Sequence, residues 1–420
     1  MTDSDDLPFL DSPADGIPPL ITSKSDLKDC ASALSQGYGP IAFDAERAHG
    51  HRYSAKAYLF QLRRAGYQTA LIDPIAFEKN GQTDLGVISS AIGDSEWIIH
   101  SANQDLPCML ADQLVPNRIF DTEVAAQLLN YPQVGLASLV KKHFGLQLRK
   151  QHSAADWSKR PLPKSWLNYA ALDVELLLEL REILTKELEE AEKIEWAYQE
   201  FDHILATALG PSVEKPDRWR RLNGLRNVRT RRGLAVAKAL WSTREKIAAN
   251  LDRPPGRLLP DSGIITLAES VSDDGDLPGR EELSAIAEFN YRGSRRYTRQ
   301  WLAAISQVAN LPVTEFPPKR APRVGPGHPK SWARSNPAAS VRWERTRAKI
   351  DQKAQTLKVP PSLLIQPAAL REIVFSPPKN GEIESRLGEL KVRPWQIKAV
   401  ASVLRQSLAD PVDDSDSNLG

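Results

Sequence analysis

The hydrophobic pattern of the chain changes character between its first part and the rest. In the first part, short apolar runs of strand length are separated by polar turns. They predict strands at residues 41–43, 57–62, 69–72 and 97–100, preceded by a short capped helix at residues 22–34. Three strands joined by tight connections, followed by helix–strand alternation, predict a mixed sheet with helices packed on it.

Beyond residue 107 the spacing of apolar residues becomes helical. It predicts helices at residues 122–129 and 136–144, and a long helical stretch, continuous or broken, at residues 164–206. Strand signals are nearly absent from the second half of the chain. We therefore expect an α/β part followed by an all-α part.

The all-α part contains a repeated motif. Residues 251–259 read Leu-Asp-Arg-Pro-Pro-Gly-Arg-Leu-Leu, and residues 357–365 read Leu-Lys-Val-Pro-Pro-Ser-Leu-Leu-Ile. Each copy follows an amphipathic helix, and its paired prolines are suited to starting the next one. The motif predicts a small helical unit present twice, although a chance recurrence of a short proline motif would look the same.

These patterns divide the chain into six segments. They are a leader with little to bury and expected to be disordered (1–20), a mixed α/β domain (21–210), a first helical unit (211–306), a basic Pro/Gly-rich linker expected to be flexible (307–337), a second helical unit (338–408) and an acidic tail (409–420).

Length and composition limit the class of protein. The 420 residues are too many for one ordinary core. The net charge of +2 averages acidic ends with basic interior stretches, so a partner would meet basic patches. Cys30 and Cys108 are too few for a thiolate zinc site or a disulfide framework, which fits a reducing cytosol. With no membrane-spanning apolar run and no signal-peptide pattern, we expect a cytoplasmic protein without membrane association.

Two carboxylates separated by one residue end the first predicted strand. The alternation of a strand sends Asp44 and Glu46 to the same face. Left alone they would repel each other, whereas a divalent cation would turn the repulsion into a binding site. Taken alone, the pair is weak evidence, since most such pairs are only a solvated strand end.

Three further residues make this pair more specific. Asp105 follows the fourth predicted strand, near a helix N-terminus, where its charge is favoured with or without a metal. Tyr169 and Asp173 lie four residues apart on a predicted helix and therefore share a face. Each is ambiguous when considered singly, whereas the set in this order is far more specific than its members.

The set resembles the DEDDy 3′–5′ exonuclease superfamily, with a strand-borne Asp-x-Glu, a later Asp and a helical Tyr-x-x-x-Asp. The sequence of residues 121–178 is similar to ribonuclease D, in the phrases Asp121-Thr-Glu-Val-Ala-Ala-Gln-Leu-Leu, Phe144-Gly-Leu-Gln-Leu-Arg-Lys, Asp156-Trp-Ser-Lys-Arg-Pro-Leu and Tyr169-Ala-Ala-Leu-Asp-Val. The helical units are similar to the HRDC domains that follow the nuclease domain in ribonuclease D and also occur in RecQ helicases. The resemblance covers residues 21–408.

The resemblance implies both a fold and an activity. The implied fold class is α/β, with a mixed-sheet ribonuclease H-like exonuclease domain followed by two small all-α, HRDC-like domains. The implied activity is that of a metal-dependent 3′–5′ exoribonuclease that releases 5′-mononucleotides by two-metal-ion hydrolysis. Its implied substrates are tRNA precursors and other structured RNAs with free 3′ ends.

The resemblance also implies a role for each site residue. The cofactors would be two Mg²⁺ or Mn²⁺ ions, which prefer carboxylate oxygens. Asp44, Glu46 and Asp173 would hold the first ion, Asp44 would bridge to the second, and Asp105 would hold that ion directly or through water. Tyr169 would orient the attacking water, because a tyrosine with its ordinary pKa of about 10 is a poor base at neutral pH.

Two local features depart from the family pattern. Gln104 stands directly before Asp105, where family members commonly carry Glu. Any supporting role of the residue at this position is therefore left open. Residues 47–56 are richer in His and Arg than expected, but no Cys or further His accompanies His49 and His51, so we expect exposed polar residues and no metal pair. We expect His100 to satisfy the strand end and not to bind metal.

Basic stretches with interleaved aromatic residues are expected to capture RNA. Guanidinium groups bind phosphates, and aromatic faces stack on unpaired bases. The candidate RNA-binding residues are Arg52, Lys150, Trp157, Arg160, Arg218, Trp219, Arg221, Arg295 and Arg296. The alternative is a solvated helix face with Trp219 packed in its core.

Two other functions are compatible with the sequence. The closest alternative is a 3′–5′ DNA exonuclease on the same core, because the sequence does not show whether the protein contacts a ribose 2′-hydroxyl. A catalytically silent RNA-binding scaffold is less favoured, since it has no need for four mutually repelling acids. No Gly-x-x-x-x-Gly-Lys-Ser/Thr loop is present, so we expect a free-standing nuclease with no obligate protein partner.

Overall fold

The computed structural model describes residues 7–149, 152–211, 217–321, 325–379 and 382–409. The strands are β1 (Leu20–Ile21), β2 (Tyr38–Arg47), β3 (Ala57–Ala65), β4 (Tyr67–Ile72), β5 (Glu96–Ile99) and β6 (Arg118–Asp121). The helices of the same part are α1 (Lys24–Gln36), α2 (Gly86–Ile92), α3 (Ala102–Ala111), α4 (Thr122–Leu128), α5 (Leu136–Phe144), α6 (Lys164–Glu175), α7 (Leu177–Glu190) and α8 (Ile194–Leu209).

The six strands form one sheet in the order β1-β4-β3-β2-β5-β6. Strands β2, β3 and β4 are antiparallel neighbours, whereas β1 runs parallel to β4, and β5 and β6 continue parallel to β2. The predicted mixed sheet is therefore confirmed. Strands β1 and β6 were not predicted, because runs of two and four residues are too short for a period-2 signal.

The side chains of β3 point alternately to the two faces of the sheet, and each face has its own hydrophobic core. Leu59 packs on one face with residues of α6, while Phe60 and Leu62 join the main core on the other face. Helix α6 packs across β2, β3 and β4. The long helical stretch is broken into α6, α7 and α8, and Glu192, with φ of 56°, lies at the turn between the last two.

Residues 7–19, which we expected to be disordered, lie along the nuclease domain beside α6. Gln147 exchanges backbone hydrogen bonds with this segment, donating to the Pro8 carbonyl and accepting from the Leu10 N–H, both at 2.9 Å. The Ala14 N–H donates to Glu175 Oε1 at 2.9 Å. The prediction was wrong for this part of the leader, because its polar backbone finds partners that are distant in sequence. Residues 1–6 lie outside the described residues.

The second half is helical, as predicted. Its helices are α9 (Arg231–Leu251), α10 (Pro255–Leu258), α11 (Asp261–Glu269), α12 (Arg280–Ala285), α13 (Ala287–Asn290), α14 (Arg292–Arg295), α15 (Thr298–Ala309), α16 (Trp332–Ser335), α17 (Pro337–Leu357), α18 (Pro361–Leu364), α19 (Pro367–Phe375), α20 (Ile383–Glu389) and α21 (Pro394–Ala409). None of the helices in the described ranges combines the length and the apolar character that crossing a bilayer requires.

The repeated motif has the same local structure in both copies. Helices α9 and α17 have 21 residues each and end on a residue in the left-handed region, Asp252 with φ of 46° and Lys358 with φ of 50°. A proline then starts the short helix α10 or α18. The motif is therefore a turn between two helices that both units use.

The two helical units meet the nuclease domain differently. The first has a separate core that includes Leu240 and Trp301. The second shares the main core of the nuclease domain, where Trp395 stacks on Trp196 with ring centroids 4.6 Å apart. Among the described residues, a shared apolar core thus joins the second unit, and not the first, to the α/β domain.

The linker is more ordered than expected over its described residues. Phe316 is buried in the core of the first unit, and its carbonyl accepts a hydrogen bond from Arg231. Trp332 is fully buried in the core of the second unit. Two aromatic side chains anchor the segment, because the burial of each outweighs the entropy lost on ordering a few residues. The acidic tail from residue 410 onward lies outside the described residues.

Candidate active site

The strand β2 and the helix α6 bring three carboxylates together. Asp44 and Glu46 share a face of β2, and α6 packs across that strand. Ala170 and Ala171 on α6 are fully buried, and their small side chains allow the helix to approach the sheet closely. Asp173, further along α6, consequently reaches the two strand acids.

Asp44, Glu46 and Asp173 each offer a carboxylate oxygen, and these three atoms lie within 4.8 Å of one another. The donors are all hard oxygens, which suit Mg²⁺ or Mn²⁺ better than a soft metal. The Glu46 residue is only 8% exposed. The arrangement fits a divalent metal ion, because close, partly buried carboxylates require a positive charge to offset their repulsion.

The pKa values of the three carboxyls are raised by burial, and those of Glu46 and Asp173 also by repulsion within the cluster. Burial raises the pKa of Glu46 well above its ordinary value, and the charges of Asp44 and Asp173 raise it further. Burial and the charge of Asp44 likewise raise the pKa of Asp173. Burial also raises the pKa of Asp44, against backbone hydrogen bonding and the charge of Arg47. Without a metal, these carboxyls therefore bind protons more readily than ordinary acids.

Asp105 lies next to this group but not within it. It occupies the first turn of α3, and its residue is 4% exposed. Burial and the charge of Asp44 raise its pKa to about 8. Three of the four predicted acids thus form one group, and Asp105 is a fourth acid beside it.

Two residues that we did not single out organise this neighbourhood. Arg47, directly after Glu46, places Nη2 at 3.3 Å from Asp105 Oδ1 and donates from Nη1 to the Gln104 carbonyl. Asp121 caps α4 and also accepts from the Ala102 N–H at 2.8 Å, which fixes the start of α3. An Asp before the predicted helix at 122–129 is an N-cap signal that could have identified Asp121. No local sequence pattern predicted the contact between Arg47 and Asp105.

Tyr169 faces the cluster from α6. Its hydroxyl is hydrogen-bonded to Asp173, and burial together with that carboxylate raises the pKa of Tyr169. The phenol therefore keeps its proton at neutral pH. Its ring rests against His152, with centroids 5.9 Å apart, and against Trp157, with centroids 6.4 Å apart.

Two predicted RNA-binding residues have contacts inside the protein, and the structure rules out one of them. Trp157 is fully buried in the small core beneath Tyr169, and its indole N–H donates to the His152 carbonyl at 3.2 Å, so it is not available to stack on RNA bases. Arg160 binds Asp73 through two hydrogen bonds of 2.7 Å and also donates to the Tyr58 carbonyl. The side chain of Arg160 is still 28% exposed, so its contact with RNA stays a prediction.

The remaining candidates are divided between interior and surface. Trp219 is 2% exposed and belongs to the core of the first helical unit, so the alternative interpretation holds for it. Arg52 donates to Ser158 Oγ at 2.8 Å. The arginines that are exposed are Arg218, Arg221, Arg295 and Arg296. Lys150 lies outside the described residues.

The histidines near the site make no cluster with the carboxylates in the described ranges. His100 is hydrogen-bonded to Thr122 at 2.9 Å, and burial lowers its pKa to about 4. His51 is hydrogen-bonded to the Ala154 carbonyl at 3.2 Å, whereas His49 is exposed. The contacts of His100 and His51 satisfy those rings through protein groups.

Comparison with known proteins assigns the parts of the chain to families. Residues 18–189 match the family described as "3'-5' exonuclease". Residues 233–305 match the HRDC domain. Residues 325–408 match the family described as "3' to 5' exonuclease C-terminal domain". The three matches lie in the α/β domain, the first helical unit and the second helical unit, respectively.

Two similar proteins cover most of the chain. Ribonuclease D of Granulibacter bethesdensis is 30% identical over 310 residues, which are 71% of this chain and 74% of that protein. Ribonuclease D of Jannaschia sp. is 30% identical over 320 residues, which are 73% of this chain and 78% of that protein. The chain belongs to the ribonuclease D family. It is a 3′–5′ exoribonuclease, and RNA is its substrate.

Solved structures support the fold of this ribonuclease. A protein from Bifidobacterium adolescentis superimposes with a TM-score of 0.86 at 33% identity, covering 96% of this chain and 100% of that one. Escherichia coli RNase D superimposes with a TM-score of 0.67 at 21% identity, covering 93% and 98%. The predicted fold class, a ribonuclease H-like exonuclease domain followed by helical domains, is therefore confirmed.

Proposed function

We propose that this ribonuclease removes nucleotides one at a time from RNA 3′ ends with two divalent ions, Mg²⁺ or Mn²⁺, and releases 5′-mononucleotides. The observation that carries the proposal is the convergence of three carboxylates within 4.8 Å on β2 and α6. Asp105 lies beside them on α3. Such a set has no structural purpose without cations, because burying like charges destabilises the fold.

We assign the site residues as follows. Asp44, Glu46 and Asp173 would hold one ion, while Asp44 and Asp105 would hold the other. When bound, such ions supply Lewis acidity, which favours deprotonation of the attacking water and stabilises charge on the departing 3′-oxygen. The carboxylates would fix the positions of the ions, so that the positive charges are in place before the reaction begins.

Tyr169 has a separate part in the proposal. Its raised pKa keeps the phenol protonated, so it serves as a hydrogen-bonding group and not as a base. In the structure its hydroxyl is engaged with Asp173. We assign it the task of orienting the attacking water toward the phosphorus, with Trp157 and His152 supporting its ring.

Structured RNAs with free 3′ ends, including tRNA precursors, are the proposed substrates. The Escherichia coli neighbour is described as an exoribonuclease involved in structured RNA processing. In this chain, the exposed Arg218, Arg221, Arg295 and Arg296 give the first helical unit a basic surface for RNA phosphates. Because such substrates occur in the cytoplasm, we place the enzyme there, acting without an obligate protein partner.

The test is digestion of a 5′-labelled single-stranded RNA in Mg²⁺ or Mn²⁺, beside a DNA of the same sequence. The wild type should shorten the RNA progressively from its 3′ end and release 5′-mononucleotides. Asp44→Asn should reduce the rate on the order of a thousandfold while retaining RNA binding. Asp29→Asn, an exposed acid on α1, is the matched control and should act like the wild type. Full activity of Asp44→Asn would refute the metal assignment, and preferential digestion of the DNA would favour the alternative substrate.

A further inference from the structure

The segment between β2 and β3 (residues 48–56, here the β2–β3 segment) leaves the active site directly after Glu46 and Arg47. On one side it contacts the loop that precedes α6. His51 Nε2 lies 3.2 Å from the Ala154 carbonyl, and Arg52 Nε donates to Ser158 Oγ at 2.8 Å. The segment therefore connects the catalytic strand with the loop beneath Tyr169.

On its other side the β2–β3 segment contacts the first helical unit, and one carboxylate there makes several of the contacts. Besides it, the Tyr53 hydroxyl donates to Glu245 Oε2 at 3.3 Å, and Arg257 Nη2 lies 3.5 Å from His51 Nδ1. Asp252 Oδ1 accepts hydrogen bonds from the backbone N–H groups of Tyr53, at 3.1 Å, and Ser54, at 2.8 Å. Asp252 Oδ2 accepts from the Tyr58 hydroxyl at 3.3 Å. Although burial opposes ionisation, the hydrogen bond from Ser54 and the charge of Arg52 keep the pKa of Asp252 below its ordinary value. The carboxylate is thus ionised at neutral pH and accepts from three donors.

The turn that carries Asp252 does not require a carboxylate. The second helical unit makes the same turn with Lys358, at φ of 50°. There the contact to the nuclease domain is a backbone one, because the Lys358 carbonyl accepts from Lys193 Nζ at 2.8 Å. Both units thus present the same turn to the nuclease domain, but only the first uses a side chain that binds a loop of the active site.

The contact joins two parts of the molecule that have separate apolar cores. The core of the first helical unit shares no residue with either core of the nuclease domain among the described residues. Asp252 accepts three hydrogen bonds across this junction. Their main effect is to order a loop, since the N–H groups of Tyr53 and Ser54 would otherwise depend on water.

The loop in question supports catalytic geometry at both ends. Ala48, the first residue of the β2–β3 segment, and Tyr58, on β3 two residues beyond its end, are buried in the small core with Trp157. Tyr169 packs against that core. Arg47, which directly precedes the segment, contacts Asp105. A displacement of the segment would therefore reach the water-orienting tyrosine and the outer metal-binding acid together.

We propose that Asp252 is a positioning residue, through which the first helical unit fixes the β2–β3 segment and completes the active site. The inference rests on the proposed function of Asp105 and Tyr169. It means that the first helical unit contributes to the rate of hydrolysis as well as to the capture of RNA. The contribution should therefore persist on RNA too short to reach the unit's basic surface.

The experiment compares Asp252→Ala, Asp252→Asn and the control Asp276→Ala in the full-length enzyme. The substrate is a short single-stranded RNA at saturating Mn²⁺. Asp252→Ala should lower kcat by roughly tenfold or more with little change in KM, because small displacements of catalytic groups are costly. Asp252→Asn keeps a carbonyl oxygen for the Tyr53 and Ser54 N–H groups and should recover most of kcat. Asp276, an exposed acid of the same unit, should have no effect.

Hydrogen exchange separates a local loosening of the β2–β3 segment from a general loss of stability. Amides of residues 48–56 should exchange faster in Asp252→Ala but not in Asp252→Asn, while those of α9 and α11 stay protected. If Asp252→Ala does not fold, Tyr58→Phe, which removes one of the three donors, should show a smaller loss of kcat in the same direction.

The possible outcomes separate this inference from the proposed function. A wild type that does not degrade RNA in Mn²⁺ would overturn the proposed function. A wild-type kcat in Asp252→Ala, or a lowered kcat with unchanged exchange over residues 48–56, would overturn only the role of Asp252. A change confined to KM would likewise overturn it and reduce Asp252 to an RNA-capture residue.

Discussion

Arg47 balances part of the negative charge at the active site, because its guanidinium lies 3.3 Å from Asp105 and its charge also acts on Asp44 and Glu46. In the absence of divalent ions it offsets some of the repulsion among the acids. In their presence its positive charge opposes them. Arg47 should therefore stabilise the metal-free fold and weaken the binding of divalent ions.

We predict that Arg47→Met lowers the free energy of unfolding of the metal-free protein and tightens Mn²⁺ binding about tenfold, or ~1.4 kcal/mol. Isothermal titration calorimetry and thermal melts with and without Mn²⁺ measure the two effects. Arg181→Met removes an arginine that is paired with Glu96 at 2.9 Å, and serves as the control for removal of an ion pair. Equal Mn²⁺ affinity in the wild type and Arg47→Met would contradict the prediction.

Because the pKa of Asp105 is raised to about 8, both its contribution to stability and the metal affinity of the site should depend on pH. An unfolded aspartate has a pKa of about 4, so the folded carboxyl binds its proton more tightly. Its contribution to stability is therefore fully present below the unfolded pKa and is lost as pH rises toward 8. Metal ions compete with that proton, so their affinity should rise over the same range.

We expect the Mn²⁺ affinity of the wild type to increase with pH until it levels off near pH 8. The increase in melting temperature caused by Mn²⁺ should grow over the same range. Calorimetry at a series of pH values, in buffers of different ionisation enthalpy, would also count the protons released. Asp105→Asn should show a flatter dependence, and an affinity that is independent of pH in the wild type would rule out the proton competition.

The attachment of the last helix, α21, to α8 depends on a buried ion pair and stacked indole rings. Arg393 donates to Glu200 at 2.7 Å, and the Trp395 indole N–H donates to the same carboxylate at 2.8 Å. Glu200 is 4% exposed, and its removal would leave Arg393 charged and buried. Breaking a buried pair from one side is costly for that reason.

We predict that Glu200→Ala lowers the free energy of unfolding by about 3–5 kcal/mol. Denaturant unfolding monitored by tryptophan fluorescence would measure the change. Glu189→Ala, which removes an exposed acid of α7, should change the free energy of unfolding by less than about 0.5 kcal/mol. A small effect of Glu200→Ala would mean that the second helical unit is held by apolar contacts alone.

The two helical units have different roles in the whole molecule. The second is part of the main core, so a truncation at residue 212 would uncover Trp196 and the apolar surface that surrounds it. Weaker RNA binding in such a truncation could not be separated from lower stability. The contribution of the first unit to binding is better tested on its surface arginines.

We predict that the double change Arg295→Ala and Arg296→Ala weakens binding to a tRNA precursor. It should also reduce the salt dependence of the affinity, by about 0.7 logarithmic units for each phosphate that is no longer bound. Filter binding over a range of salt concentrations would measure both effects. The double change Arg347→Ala and Lys398→Ala, which removes two exposed basic residues of the second helical unit, is the control. An unchanged salt slope in the first variant would place the RNA path elsewhere.

Local information in the chain was enough for several conclusions. Helix α5, at Leu136–Phe144, has the bounds that its apolar period predicts, and the mixed sheet follows from the short strands. The order of Asp44, Glu46, Asp105, Tyr169 and Asp173 was sufficient to suggest the enzyme class. These features are encoded by residue type and by spacing along the chain, which a sequence displays directly.

Other conclusions depended on contacts between residues far apart in the chain. Trp157 and Trp219 have the composition of base-stacking residues, but burial removes them from the surface. The contact of Arg47 with Asp105 joins β2 to α3, and that of Asp252 with Tyr53 crosses a domain boundary. Such contacts have no period and no motif, because they form only when packing places two distant segments side by side. The burial that raises the pKa values of the carboxylates arises in the same way, so the chemical character of the site emerges on folding.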